Sequence, residues 1–148
     1  MKTNEINRLR EIIEPEREKI YTKYRSRFGK DLCGCCAIAS GILFEFLRND
    51  FKGIKIVMSE EHCGDGCSHC FLLYKGYIID VTATQFGHIE TILIFKDDKK
   101  KFEESEWDYW YWYGRRKYFH DVKSLKKYQK RYNWPAEQLY WSNHYKNK

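Results

Sequence analysis

The sequence predicts an α+β domain. Apolar residues recur at three- and four-residue spacings near the N-terminus, as in an amphipathic helix. A second, strongly apolar helical stretch follows a pair of cysteines at 35 and 36. Downstream, two runs rich in β-formers flank Lys75-Gly76, the pattern of a β-hairpin. The 148 residues fit one domain, 1–148, and a 43% hydrophobic content with 18% aromatics argues for a packed core. No internal repeat or second domain is evident.

Taking the elements in order, residues 4–28 read as helix, with Ile6, Leu9, Ile13, Ile20 and Tyr24 on one face. Pro15 lacks an amide hydrogen and clashes with the preceding turn, so it is expected to break this stretch or to start a second helix. The next helix begins near Cys35-Cys36, presents Ile38, Ala39, Ile42, Leu43, Phe46 and Leu47, and stops at Arg48-Asn49-Asp50. Ile54, Ile56 and Met58 alternate as in a strand. EHCGDGCSHC is too rich in Gly, Cys and charge for a regular element. In the hairpin, a two-residue turn pairs Tyr74 with Tyr77, hence Phe71 with Asp80 and His69 with Thr82. HIETILIF reads as a further strand and KDDKKKFEESE as a charged connector. In the aromatic and basic C-terminal part, 107–148, WDYWYWYGRRK reads as a strand that fills the core or walls a cleft, in preference to a string of rings and cations that stacks on exposed bases. Val122, Leu125 and Tyr128 mark a short helix that ends around Asn133 to Pro135.

The chemistry lies in the order Cys36, His69, Asp80. A thiol is a weak nucleophile until an imidazole removes its proton, and a carboxylate fixes the imidazole's tautomer and orientation. Cys36 opens a helix, where free backbone N–H groups and a partial positive charge favour a thiolate and can donate to an oxyanion. The hairpin register places His69 and Asp80 as diagonal neighbours on one sheet face, roughly 7–8 Å apart between backbones and within reach of a side-chain hydrogen bond. A slip of one residue would separate them onto opposite faces.

The segment GCCAIASGILFEFL resembles the G-x-C-x-x-A-S start of the nucleophile helix in papain-like and transglutaminase-like cysteine enzymes. The segment HCFLLYKGYIIDVTATQFG is similar to the His strand, turn and D-x-T-x-x-Q-F strand end of bacterial relatives. The likeness covers roughly residues 33–88, the core motif. It implies a papain/transglutaminase-like core, a nucleophile helix packed on an antiparallel sheet, and a Cys36–His69–Asp80 triad. Only Cys36, not Cys35, satisfies the C-x-x-A-S spacing. Cys70 departs from the pattern, which carries a bulky residue after the histidine. Thr82, Gln85 and Phe86 also match. Gln85 and Cys35 are candidates for oxyanion or substrate contacts, satisfying a loop backbone being the favoured role of Gln85. The implied activity is acyl transfer through a thioester, hydrolysing a peptide or carboxamide bond ahead of transamidation, on a protein, peptide or amide substrate.

A competing reading is a zinc-stabilised binding module without chemistry, with nucleic acid as a candidate ligand, drawing on Cys33, Cys35, His62, Cys63, Cys67 and Cys70, with His69 contested between the two. The catalytic reading needs no cofactor, although a structural zinc beside the triad is compatible with it. The excess of 27 basic over 21 acidic residues gives a net charge of +6. Basic and acidic residues read as intermixed, so nucleic acid is not the expected partner. The polar N-terminus offers no secretory apolar stretch and no run suits a membrane span, so a cytoplasmic chain with reduced thiols is expected, export without an N-terminal signal aside.

Overall fold

The computed structural model describes residues 1–60, 68–87, 89–99, 109–112 and 115–140. Helix α1 spans Thr3–Phe28 and α2 spans Cys36–Leu47. Strands β1 (Lys55–Glu60), β2 (Ser68–Tyr74) and β3 (Tyr77–Asp80) follow, then a 3-10 turn at Ala83–Phe86 and β4 (Leu93–Lys96). A single helical turn, α3, covers Tyr109–Trp112, before β5 (Arg115–Phe119), α4 (Val122–Arg131) and a last 3-10 turn at Ala136–Gln138. The strands form one sheet in the order β4-β3-β2-β1-β5, antiparallel throughout, with β2 at its centre. The α+β class and a helix packed on an antiparallel sheet are therefore present.

α1 runs unbroken through Pro15, contrary to the expected break. Leu9, Ile13, Ile20 and Tyr24 are all buried, anchoring both halves of the helix to the same core. Burial of one such side chain is worth about 1.5–3 kcal/mol, so the set outweighs the roughly 3 kcal/mol cost of an interior proline. Pro15 itself faces solvent, where water can satisfy the carbonyl it leaves free. Two charged residues on this helix, Glu16 and Arg17, are also buried. Arg17 lies over the Tyr21 ring and donates to the Val81 carbonyl at 3.4 Å, just past the strand that carries Asp80.

The centre of the sheet, β1 to β3, is buried on both faces. α1, α2, Leu125 and Tyr140 cover the side that carries Ile56, Met58, Cys70, Leu72, Ile79 and Ile94. Val57, Phe71, Ile78 and Leu93 point the other way and pack with Ala83 and Tyr111. This is why β1 is buried at consecutive positions, Ile56 through Ser59, and not only at alternate ones. The aromatic string supplies this second cover from a helical turn, where a strand was expected. Strand β4 is shorter than HIETILIF suggested, and Ile89 is 93% exposed. Phe46, assigned to the apolar face of α2, is 45% exposed because that helix turns almost every other side to the core. The expected stop after Leu47, the Lys75-Gly76 turn and the α4 helix are all found. In α4 Asp121 caps the N-terminus by accepting the Ser124 N–H at 2.8 Å. The charged connector is described only as far as Lys99, and the remainder, 100–106, lies outside the described residues.

Gly41 lies where the Tyr140 ring crosses α2. A methyl group there would meet the ring at 2.2 Å, with backbone φ in the ordinary helical range. Alanine normally stabilises a helix interior over glycine by up to about 1 kcal/mol. Overpacking a core ordinarily costs about 1–3 kcal/mol, and this contact is at the severe end. Gly41→Ala is therefore expected to lower the thermal midpoint by several degrees, as measured by calorimetry. A raised midpoint would mean that Tyr140 does not lie on the helix.

Candidate active site

The hairpin brings His69 and Asp80 together. Tyr74 pairs with Tyr77, Leu73 with Ile78 and Leu72 with Ile79, the expected register, which leaves the two side chains on one face. His69 Nε2–H donates to Asp80 Oδ2 at 2.6 Å. The same oxygen accepts the Tyr111 hydroxyl at 2.6 Å. Asp80 Oδ1 accepts the Thr82 N–H at 2.8 Å and the Thr82 hydroxyl at 3.2 Å. The carboxylate is 2% exposed and the imidazole 1%, so nearly all its solvation comes from these donors.

Cys36 lies within hydrogen-bonding reach of His69. Asp80 occupies Nε2, so Nδ1 is the ring nitrogen left for the thiol. Gln85 is also there, its Nε2 3.5 Å from Nδ1 and donating to the Thr82 hydroxyl at 3.1 Å. Its Oε1 accepts the Gly34 N–H at 3.5 Å, tying the 3-10 turn to the loop before α2. The histidine ring is held edge-on by Phe86 and Tyr111, at centroid distances of 4.6 and 5.4 Å, with Phe71 beside it.

Cys36 is the first residue of α2, and Cys35 is its N-cap. The loop reaches this point through Leu32, whose φ of 55° is unusual for a leucine, and Gly34, whose φ of 89° suits glycine. Among the described residues, the N–H groups of Cys36, Ala37 and Ile38 find no acceptor, and the first bond of the helix runs from Ala39 N–H to the Cys35 carbonyl at 2.9 Å. Cys35 is placed differently. Its N–H is spent on the Leu32 carbonyl at 3.0 Å and its side chain is fully buried in the core. That arrangement removes Cys35 from the oxyanion and substrate contacts. Burial first, then the charge of Cys36, pushes its thiol up to about 12.

The electrostatics concentrate on the pair. Burial alone would lower the His69 pKa, but the Asp80 charge, its hydrogen bond and Cys36 together raise it to about 9. Burial alone would raise Asp80, yet the His69 charge and hydrogen bond, with Tyr111 and Thr82, hold it below the ordinary carboxylate value. Burial and then Asp80 push the Tyr111 hydroxyl well up, so it remains a donor.

Tyr111 is the member of this network that sequence reasoning missed. It is fixed from outside: Arg116 donates from Nε to the Tyr111 carbonyl at 2.8 Å and grips Asp97 with both terminal nitrogens, at 2.8 and 2.9 Å. Trp112 Nε1–H donates to the same Asp97 at 2.8 Å. The only available signal was that a buried tyrosine needs a partner for its hydroxyl, and a run of neighbouring Tyr and Trp does not say which one is buried.

Of the alternative zinc ligands, His62, Cys63 and Cys67 lie outside the described residues. Cys33 is exposed, whereas Cys35 and Cys70 are buried and unbridged. Cys70 points to the α2 side of β2, away from the adjacent His69, because neighbours on a strand face opposite ways. Among the described residues no cluster of three or more metal-binding side chains occurs. No helix among them is long and apolar enough to cross a membrane. No protein-family model, curated protein or solved structure matches the chain.

A pH dependence of stability follows from the pair. The His69 pKa is higher folded than unfolded, so its contribution is complete below about 6.5 and is lost as pH rises through about 9. The depressed Asp80 contributes above its ordinary value and is lost as pH falls through its lower folded one. Denaturant unfolding should therefore show wild type losing stability between pH 6.5 and 9 more steeply than His69→Gln, which cannot titrate there. Parallel curves would show that the ring gains no proton affinity on folding.

Proposed function

We propose that the chain is a cysteine-dependent acyl-transfer enzyme with a papain/transglutaminase-like core, in which Cys36 is the nucleophile, His69 the general base and acid, and Asp80 the orienting carboxylate. The observation that carries the reading is the arrangement of His69: Nε2–H on a buried carboxylate, and the other nitrogen left for a thiol at a helix start. The resemblance of residues 33–88 to these enzymes supports the same roles. The substrate is a peptide or carboxamide, and hydrolysis is preferred over transamidation.

Asp80 holds the neutral ring in the tautomer with its proton on Nε2, so Nδ1 accepts the thiol proton of Cys36 and an imidazolium forms. The raised proton affinity of His69 favours the resulting thiolate–imidazolium pair through neutral pH. The sulfur attacks the carbonyl carbon, a C–S bond forms and the carbonyl electrons move to oxygen. The Cys36 and Ala37 N–H groups, without an acceptor among the described residues, point to where this oxyanion would be held. Nδ1–H then protonates the departing amine or ammonia as the C–N bond breaks, leaving a thioester. Water gives a proton to Nδ1 and attacks the thioester, and the acid leaves as the C–S bond breaks. An amine in place of water gives transamidation. Gln85 contributes position, linking the Thr82–Asp80 chain to the loop before the nucleophile.

The test is selective alkylation. Cys36 is only 5% exposed, so a small reagent is required. Limiting iodoacetamide near neutral pH should label Cys36 ahead of the other cysteines in peptide maps. Asp80→Asn should slow that labelling at least about tenfold, because an amide can donate to the ring and select the wrong tautomer. Tyr111→Phe should slow it less, the carboxylate keeping its other donors. Label spread evenly, or concentrated on Cys35, would remove Cys36 from its role. About one zinc per chain by elemental analysis, lost in His69→Ala, would instead assign His69 as a metal ligand.

A further inference from the structure

The net charge of the chain is not evenly distributed, contrary to what its composition suggested. Residues 115–131 hold eight of the 27 basic residues and one of the 21 acidic ones, against a whole-chain excess of +6. The surplus thus lies on β5 and α4, and the rest of the chain is close to neutral. The one acidic residue, Asp121, is committed to capping α4, and Arg116 is committed to Asp97. The remaining cations have no ion pair among the described residues.

Two tyrosines lie within this surface. Tyr128 and Tyr132, one helical turn apart, have ring centroids 4.6 Å apart, and Tyr132 is 52% exposed. Lys117 from β5 sits 5.6 Å from the Tyr128 ring and Arg131 5.6 Å from the Tyr132 ring. The Tyr128 hydroxyl is bonded to Glu60 on β1, which fixes the inner ring, while Phe119 packs on it at 5.5 Å. Lys127, one turn before Arg131, is exposed beside them. A fixed inner ring, an exposed outer ring and neighbouring cations without an ion pair among the described residues form a platform for a planar base with flanking phosphates.

We propose that the β5–α4 surface binds single-stranded nucleic acid, with Tyr132 stacking on a base and Lys117, Lys127 and Arg131 holding phosphates. A solvated amphipathic helix would account for the lysines, but not for a half-exposed tyrosine set at a tilt against a half-buried, fixed ring with an arginine beside it. A duplex hides its base faces, and neither an acidic peptide nor a lipid headgroup offers a planar face for the ring to stack on. The site is separate from Cys36 and does not depend on the acyl-transfer reading.

The experiment is fluorescence anisotropy of the full chain with a labelled oligothymidylate of about 12 nucleotides, within the site sizes usual for such surfaces. Saturable binding that weakens steeply with salt is expected. Tyr132→Ala should weaken it at least about fivefold, and Tyr132→Phe should retain it, since the ring and not the hydroxyl stacks. Lys127→Glu with Arg131→Glu should weaken it more than about tenfold and make the salt dependence shallower. Lys2→Glu with Lys30→Glu, which reverses as much charge at exposed positions outside the surface, should stay within about twofold of wild type. Cys36→Ser should bind as wild type does. Absence of saturable binding, equal loss in the Lys2/Lys30 control, or Tyr132→Ala binding like wild type would overturn the proposal. So would equal affinity for a duplex of the same length, or displacement by polyglutamate or anionic vesicles at matched charge.

Discussion

The carboxylate of Asp80 is the group around which the described structure is organised. An ionised carboxylate placed in a protein interior loses several kcal/mol of hydration unless other groups replace it. Here the replacement comes from three different parts of the chain: the imidazole of His69 on β2, the hydroxyl of Tyr111 on α3, and both donors of Thr82 beyond β3. Each donor is useful only if its own element is correctly docked. The hairpin register, the covering of the second sheet face and the turn after β3 are thereby coupled through one side chain. Removing any donor leaves charge buried with less compensation, so the network favours one arrangement of these elements over near alternatives.

That coupling also explains the aromatic string. Its Tyr111 ring fills the second face of the sheet, against Phe71 and Phe95, while its hydroxyl reaches the carboxylate. The Arg116–Asp97 pair and the Trp112 indole fix this turn of chain from the rim. A bland packing role and a polar positioning role are thus combined in one residue. The basic residues that follow, apart from Arg116, are free of this duty, which leaves β5 and α4 available for surface interactions.

Much of this was legible in the sequence because it depends on short-range geometry. The two-residue turn at Lys75-Gly76 set the register, and the register set His69 beside Asp80, since side chains on a strand alternate with period two. The apolar spacing of α1 and α2 was likewise a local property. The features that were missed depend on distant parts of the chain. Pro15 is tolerated because a core elsewhere holds both halves of α1. Tyr111 finds Asp80 across 31 residues of chain. The burial of Val57 and Phe71 on the second face requires a cover that no strand pattern announces, and Phe46 is exposed only because the rest of α2 is enclosed.

The adjacent cysteines show how finely the fold separates similar groups. Successive residues of a helix point about 100° apart, from 3.6 residues per turn, so neighbours at a helix start are sent to different surroundings. Cys35, in the N-cap position, turns into the core and spends its N–H on Leu32, and burial pushes its thiol up to about 12. Cys36, one residue later, meets the imidazole and retains an N–H without an acceptor among the described residues. The positive φ of Leu32 and of Gly34 sets this one-residue phase by turning the loop sharply before the helix begins. A non-glycine residue in the left-handed region costs of order 1 kcal/mol or more, so the loop conformation must be held by its surroundings. Leu32, which is fully buried, and the Gly34 bond to Gln85 provide that hold. The same Gln85 amide lies beside the His69 ring, so the loop that sets the phase of the thiol and the strand that sets the imidazole are fixed against one another through one side chain.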